Sequence, residues 1–303
     1  MVSFRAMQAA NKRKTIVLLA LMTSLVSLVI WAVGAYMGYG GYGIVPFAVG
    51  ISLIGTWSSY YASDKIVLTM TGARLIDEQS APQLFNLVSE LTLASGLPMP
   101  KIAIVEDEAP NAFATGRDPE HAVIAFTTGI LKVMDREQLQ GVTAHELSHV
   151  ANRDTLVSAV AATTAGAIAL LSDMLMRMMW FGGGRRDDDR EGGNPLAAIA
   201  GILILILAPL AAALLRSAIS RNREALADAT AVQFTRNPAG LRRALETLAQ
   251  DSTVVQQRST SVAHVWIESP LDSSTASKLF ATHPPLAERI AALRALETGQ
   301  ADN

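Results

Sequence analysis

Charged side chains are absent from Thr15 to Ser63. A stretch of that length holds two helices of about 20 apolar residues each, joined by a Gly-rich turn near Gly38 to Gly43. The pattern predicts a helical hairpin able to cross a bilayer. Two more uncharged runs follow: Thr155 to Ser172, extending toward Phe181, and Pro195 to Leu215, interrupted only by Pro209. They predict a second hydrophobic pair. Between the pairs the pattern changes period. Leu84, Leu87, Val88 and Leu91 recur at helical spacing after Pro82 and stop at Gly96. Lys101 to Val105, Asn111 to Gly116 and Ala122 to Phe126 then read as extended segments. After the last apolar run, helices are predicted from Ser220 to about Phe234, from Pro238 to Ala249 with Asn237 as cap, and from Pro284-Pro285 to about Glu297.

The chemistry concentrates in His145-Glu146-Leu147-Ser148-His149. Asp135 is a helix N-cap with Gln138 three residues on, and Leu139, Val142 and Leu147 supply an apolar stripe, so the motif lies on a helix. Side chains at i and i+4 share a face, so both imidazoles reach one ion while Glu146 points toward the ion's open position. Zinc held by three protein ligands keeps a fourth site for water, lowers its pKa to about 7, and leaves a neighbouring Glu to move the proton. Two histidines need a third ligand. Arg223-Glu224-Ala225-Leu226-Ala227-Asp228 offers two acids four apart on one helical face. Were the third apolar run to continue the H-E-L-S-H helix, His149 would stand about 9 Å from Thr155 and Glu224 about 13 Å beyond Leu215, at similar heights. Glu224 is thus the candidate third ligand. Asp228 is placed behind it, accepting an imidazole N–H from His145, with His149 the alternative.

Composition narrows the setting. The 303 residues are 50% hydrophobic and 17% charged, with mean hydropathy +0.29, too apolar for an ordinary cytosolic enzyme. The net charge of −2 and the lack of a basic stripe argue against nucleic acid. No phosphate-loop motif points to a nucleotide. Cysteine is absent, which removes thiol catalysis and Cys-type zinc sites. The first apolar run is longer than a signal peptide's core and lacks a cleavage site, so an uncleaved anchor is expected. Arg5, Lys12, Arg13 and Lys14 precede it without an acid, which puts the N-terminus, and all that follows the second span, in the cytoplasm.

Several motifs together resemble HtpX-type membrane zinc metalloproteases, within the wider gluzincin group that includes the CAAX prenyl endopeptidases. They are A-S-G-L-P-M-P-K at Ala94 to Lys101, N-A-F-A-T-G at Asn111 to Gly116, T-A-H-E-L-S-H at Thr143 to His149, R-E-A-L-A-D at Arg223 to Asp228, and T-H-P-P-L-A-E-R-I at Thr282 to Ile290. The resemblance implies one Zn2+ per chain on His145, His149 and Glu224, and Glu146 as general base and acid. It also implies ATP-independent cleavage of misfolded or damaged membrane proteins at the cytoplasmic side of a bacterial inner membrane. His283 matches a family position near the active site, where it could donate to an oxyanion; a helix-start histidine with no catalytic part is the alternative. Either the stretch containing Asn111, Phe113, Thr115 and Gly116 or the run Ala122 to Gly129 is a candidate edge strand for substrate backbone, with plain structural strands the alternative.

The expected architecture is an α+β membrane protein, mostly helical, with a small mixed sheet and four hydrophobic segments in a zincin-like arrangement. Residues 1–63 form the N-terminal segment and transmembrane hairpin, and 64–154 the first half of the catalytic domain. Residues 155–215 form the second hydrophobic hairpin with a flexible loop at 182–194, and 216–303 the second catalytic half. The expected partners are membrane-protein or unfolded polypeptide substrates and the lipid bilayer. A non-catalytic zinc-binding scaffold or metal carrier is the rival reading.

Overall fold

The computed structural model describes residues 4–34, 42–161, 163, 166–167, 170, 173, 177, 221–251, 266–267 and 285–298. The N-terminal hairpin forms as expected, from α1 (Phe4–Gly34) and α2 (Val45–Tyr61). Its seam is a stripe on each helix. Asn11, Thr15, Leu18, Met22, Leu25 and Val29 are buried along α1, and the small side chains Ala48, Ser52 and Thr56 are buried along α2. Small residues let backbones approach closely, and Thr23 Oγ1 donates to Thr56 Oγ1 across the seam at 3.0 Å. The outer faces carry Ile16, Val17, Leu28, Trp31, Phe47, Ile51, Ile54 and Trp57, all exposed. An apolar surface of that extent is suited to lipid. Trp57, Tyr60 and Tyr61 cluster at the end of α2, and Arg117 stacks over the Tyr61 ring, an aromatic belt of the kind that marks a bilayer's polar boundary.

Among the described residues, two helices are thus long and apolar enough to span. The predicted third segment, 155–181, is described continuously only to 161, where it is helical and almost wholly buried. The fourth, 195–215, and the loop 182–194 lie outside the described residues.

After α3 (Ser63–Thr71), a four-stranded mixed sheet forms from β1 (Arg74–Ile76), β2 (Lys101–Val105), β3 (Ala112–Thr115) and β4 (Val123–Thr127) in the order β1-β2-β4-β3. β2 and β4 are parallel and the outer pairs antiparallel. Period-two alternation gives the sheet two buried faces. Ile102, Ile124, Phe126, Ala112 and Ala114 pack on α4 (Pro82–Ser95) and α6 (Arg136–Ala151). Ala103, Phe113, Val123 and Ala125 pack on Val67, Ala159 and Trp266. A short α5 (Thr128–Val133) joins β4 to α6.

The second half supplies α7 (Arg221–Thr235), α8 (Pro238–Gln250) and α9 (Leu286–Glu297), which close over α6. Contact between α6 and α8 is backbone to backbone. A Cβ on Gly141 would sit 2.5 Å from Leu241 N, and one on Gly240 would sit 2.7 Å from Glu137 O. Gln138 Nε2 donates to Thr247 Oγ1 at 2.9 Å alongside them. Gly141 is one turn from His145, so this approach sets the height of the motif against the second half. Gly141→Ala is expected to push the helices apart and cost roughly 1–3 kcal/mol, read as a lower Tm of the metal-free protein in detergent. An unchanged Tm would contradict the close approach.

Candidate metal centre

α6 starts with a complete capping box: Asp135 Oδ1 accepts from Gln138 N at 2.8 Å and Gln138 Oε1 from Asp135 N at 2.9 Å. The helix carries His145 and His149 one turn apart, with ring centroids 4.7 Å apart, planes perpendicular, and Nε2 atoms 3.2 Å apart. Glu224, in the first turn of α7, meets them. Its Oε2 is 3.6 Å from His145 Nε2 and its Oε1 is 3.7 Å from His149 Nε2. Ligands about 2.05 Å from a tetrahedral zinc are separated by about 3.3 Å. The measured sides bracket that value, and two imidazole nitrogens with a carboxylate are a fitting donor set. Among the described residues this is the one group of three or more such side chains placed to hold a metal.

The route to this triangle differs from the expected one. α6 does not run on into the third apolar segment: it ends at Ala151, Asn152 and Arg153 form a turn, and a helix resumes at 154. Arg153 takes φ +58°, a left-handed backbone that costs a non-glycine residue of order 1 kcal/mol. The height estimate from a continuous helix is therefore corrected. Glu224 reaches the histidines through packing of α7 on α6.

Around the triangle stands a shell of charge. Asp228 Oδ1 lies 2.9 Å from His145 Nδ1, the first of the two alternatives weighed for it. Arg289 on α9 grips the same carboxylate with both arms, Nε to Oδ2 at 2.9 Å and Nη2 to Oδ1 at 2.7 Å. Its Nη2 is 3.4 Å from each ring nitrogen of His145, so the guanidinium lies against the ring. Burial and Arg289 both push the His145 pKa down, but the hydrogen bonds to Asp228 and Glu224 prevail and hold it up at about 9. Burial raises Asp228, yet Arg289 and His145 bring it down to about 2. His149 has its own carboxylate: Asp154 Oδ2 is 3.1 Å from its Nδ1.

Glu146 follows His145 on the helix and is buried. His283 lies outside the described residues. Of the two candidate edge strands, Ala122 to Gly129 is corrected, because β4 is flanked by β2 and β3 and has no open side. β3 is the edge. Asn111, Phe113 and Thr115 are buried, with the Asn111 side-chain oxygen accepting from Ala112 N at 3.0 Å and Phe113 packed edge-on against Trp266. Gly116 has φ +130°, and a Cβ there would lie 2.4 Å from His121 O. These side chains build the strand, and its main chain forms the outer edge, where Ala112 O accepts from Ile267 N at 3.0 Å.

Arg289 and Asp154 escaped the sequence reading. Arg289 lies inside T-H-P-P-L-A-E-R-I, whose histidine drew the attention, and Asp154 read only as the last charge before an apolar run. A buried arginine on a C-terminal helix has no local signal. Asp154 had one: five residues past a candidate ligand histidine, it is within reach if the helix breaks.

Residues 78–297 match peptidase family M48. Curated relatives described as protease HtpX homologs include one from Streptococcus gordonii, 43% identical over 289 residues, covering 94% of this chain and 97% of the relative. One from Thermoanaerobacter pseudethanolicus is 44% identical over 292 residues, covering 96% and 97%. One from Streptococcus agalactiae is 46% identical over 288 residues, covering 94% and 97%. Among solved structures, S. mikatae Ste24p is similar with a TM-score of 0.51 at 18% identity, covering 95% of this chain and 66% of that one. That likeness speaks to the fold alone.

The His145 pKa gives the site a testable pH response. A ligand nitrogen must be free of its proton to bind metal, and metal-free His145 keeps its proton up to about pH 9. Zinc affinity is therefore expected to rise about tenfold per pH unit from 6.5 to 8.5, measured by competition with a chromophoric chelator. A curve already level above pH 7 would contradict the raised pKa.

Proposed function

The chain belongs to peptidase family M48, and from that premise we propose that it is a membrane-anchored zinc endopeptidase that clears misfolded or damaged membrane proteins at the cytoplasmic face of a bacterial inner membrane. The observation that carries the reading is the triangle of donor atoms on His145, His149 and Glu224. In this reading those residues hold zinc, which supplies a Lewis acid that brings the pKa of water to about 7. Glu146 takes the proton of the attacking water and returns it to the leaving amine. Asp228 and Asp154 hold the two imidazoles in the tautomer that presents Nε2. The outer edge of β3 beyond Ala112, whose carbonyl is taken by Ile267 N, aligns substrate main chain as an added strand, and His283 is the candidate donor to the oxyanion.

In this reading the catalytic unit comprises residues 64–154 and 216–303, and one contact supports its side of the membrane. Asn11 of α1 hydrogen-bonds Asp154, so the basic start of α1 and the metal centre share a side. The charges of Lys12, Arg13 and Lys14 favour the cytoplasm for that side. Asn11 is four residues from the start of the uncharged run, about 6 Å along the helix, which suits cleavage of loops and unfolded segments close to the bilayer. The carrier alternative loses support, because ion pathways need ionisable groups within the spans and the Thr15 to Ser63 run has none.

Glu146→Gln is expected to leave zinc bound at wild-type stoichiometry while cutting hydrolysis of an unfolded test protein by roughly 10²–10⁴-fold. Wild-type turnover in that variant would remove Glu146 from its role, and zinc flux across vesicles without hydrolysis would favour the carrier.

A further inference from the structure

The first membrane helix reaches the metal centre. Asn11 opens the buried α1 stripe, immediately before Lys12, Arg13 and Lys14, and is only 4% exposed. Its Nδ2 donates to two acceptors, Asn152 O at 3.0 Å and Asp154 Oδ1 at 2.7 Å. These acceptors flank Arg153, the left-handed residue that ends α6. The other oxygen of Asp154 is the partner of His149 Nδ1 at 3.1 Å. One amide of the anchor thus bridges both sides of a strained turn and fixes the carboxylate behind a candidate zinc ligand.

Arg223 Nη1 forms a buried ion pair with the same Asp154 Oδ1 at 3.6 Å, longer than a hydrogen bond, so it adds charge without the short, directed bond that Asn11 supplies. The Asn152 side chain is buried with no hydrogen-bond partner among the described residues. Lys14, one turn along α1, lies close enough for Asp154 and Arg223 to act on its charge, but its side chain is exposed.

We propose that Asn11 and Asp154 are positioning residues of the metal centre, so that α1 is part of the active site as well as its anchor. This rests on the proposed His145, His149 and Glu224 site. A neutral His149 that donates Nδ1–H to Asp154 presents Nε2 to the metal, and an outer carboxylate of this kind fixes both tautomer and ring orientation. Without Asn11, the turn at Arg153 loses the group that ties Asn152 to Asp154, and the longer Arg223 ion pair is left to hold the carboxylate against His149.

The test is zinc affinity of the full chain in detergent micelles, by chelator competition, with the visible bands of the cobalt-substituted protein as a report on ligand geometry. Asp154→Ala should weaken zinc roughly 10–100-fold. Asn11→Ala should weaken it by about 3–10-fold, a fraction of the loss of the outer partner itself, and shift the cobalt bands. The double variant should match Asp154→Ala within about twofold, since the amide acts through the carboxylate. Thr23→Ala, which removes a bond between α1 and α2 remote from the turn, should leave affinity and spectrum unchanged. If Asn11→Ala does not fold, Asn11→Ser keeps a donor and is read the same way, with a smaller loss. The proposal is overturned by Asn11 variants within twofold of wild type, by losses that multiply in the double variant, or by an equal loss in Thr23→Ala. Failure of the underlying site looks different: His149→Ala would then bind zinc as tightly as wild type.

Discussion

Asp228 sits between the His145 imidazole and the Arg289 guanidinium, and the three side chains belong to α6, α7 and α9. Each group is buried, and none is affordable there alone. Removing one partner of such a set leaves an uncompensated buried charge, which typically costs about 3–5 kcal/mol. The cluster ties together helices far apart in the sequence, and Glu224 sits one turn from Asp228 on the same face of α7. What brings the acidic helix to the histidines as a unit also brings the third donor to the triangle. The metal-binding geometry is a by-product of the charge pairing behind it.

How much of this could be read along the chain divides by distance. Local signals were legible: the capping box at Asp135, the Pro82 and Gly96 limits of α4, the Asn237 cap, and the i, i+4 pairs His145/His149 and Glu224/Asp228. The uncharged hairpin was legible because lipid imposes a composition. The break at Asn152-Arg153 was not, since neither residue is a Gly or Pro, and a left-handed arginine is held by tertiary bonds that no window of sequence contains. Arg289 was hidden for the same reason, its partner being 61 residues away. β1 was missed because three residues with a half-exposed pattern carry too few alternations to register.

That break changes how the molecule is organised. A continuous helix from the motif into the apolar run would have carried His149 rigidly into a membrane span. Instead the turn lets residues 154–161 bury Leu156, Val157, Ala159 and Val160 within the protein, with Ala159 packed under the β3 face. The third apolar run therefore begins as core. Hydropathy alone does not reveal this, because a buried core helix and a lipid-facing one have the same composition.

The two histidines are supported in parallel but not equally. His145 is sealed, backed by Asp228 and the Arg289 guanidinium, with no side-chain exposure, whereas the His149 side chain is 14% exposed and backed by Asp154. Solvent therefore reaches the pair from the His149 side. That ring is backed by a turn whose bonding comes from the first helix of the apolar hairpin. A catalytic domain detached from α1 would keep the Asp228 and Arg289 support of His145 and lose the Asn11 clamp near His149. Of the two ring environments, the one open to water is also the one that needs the anchor, which links the hairpin to the chemistry through two hydrogen bonds from a single amide.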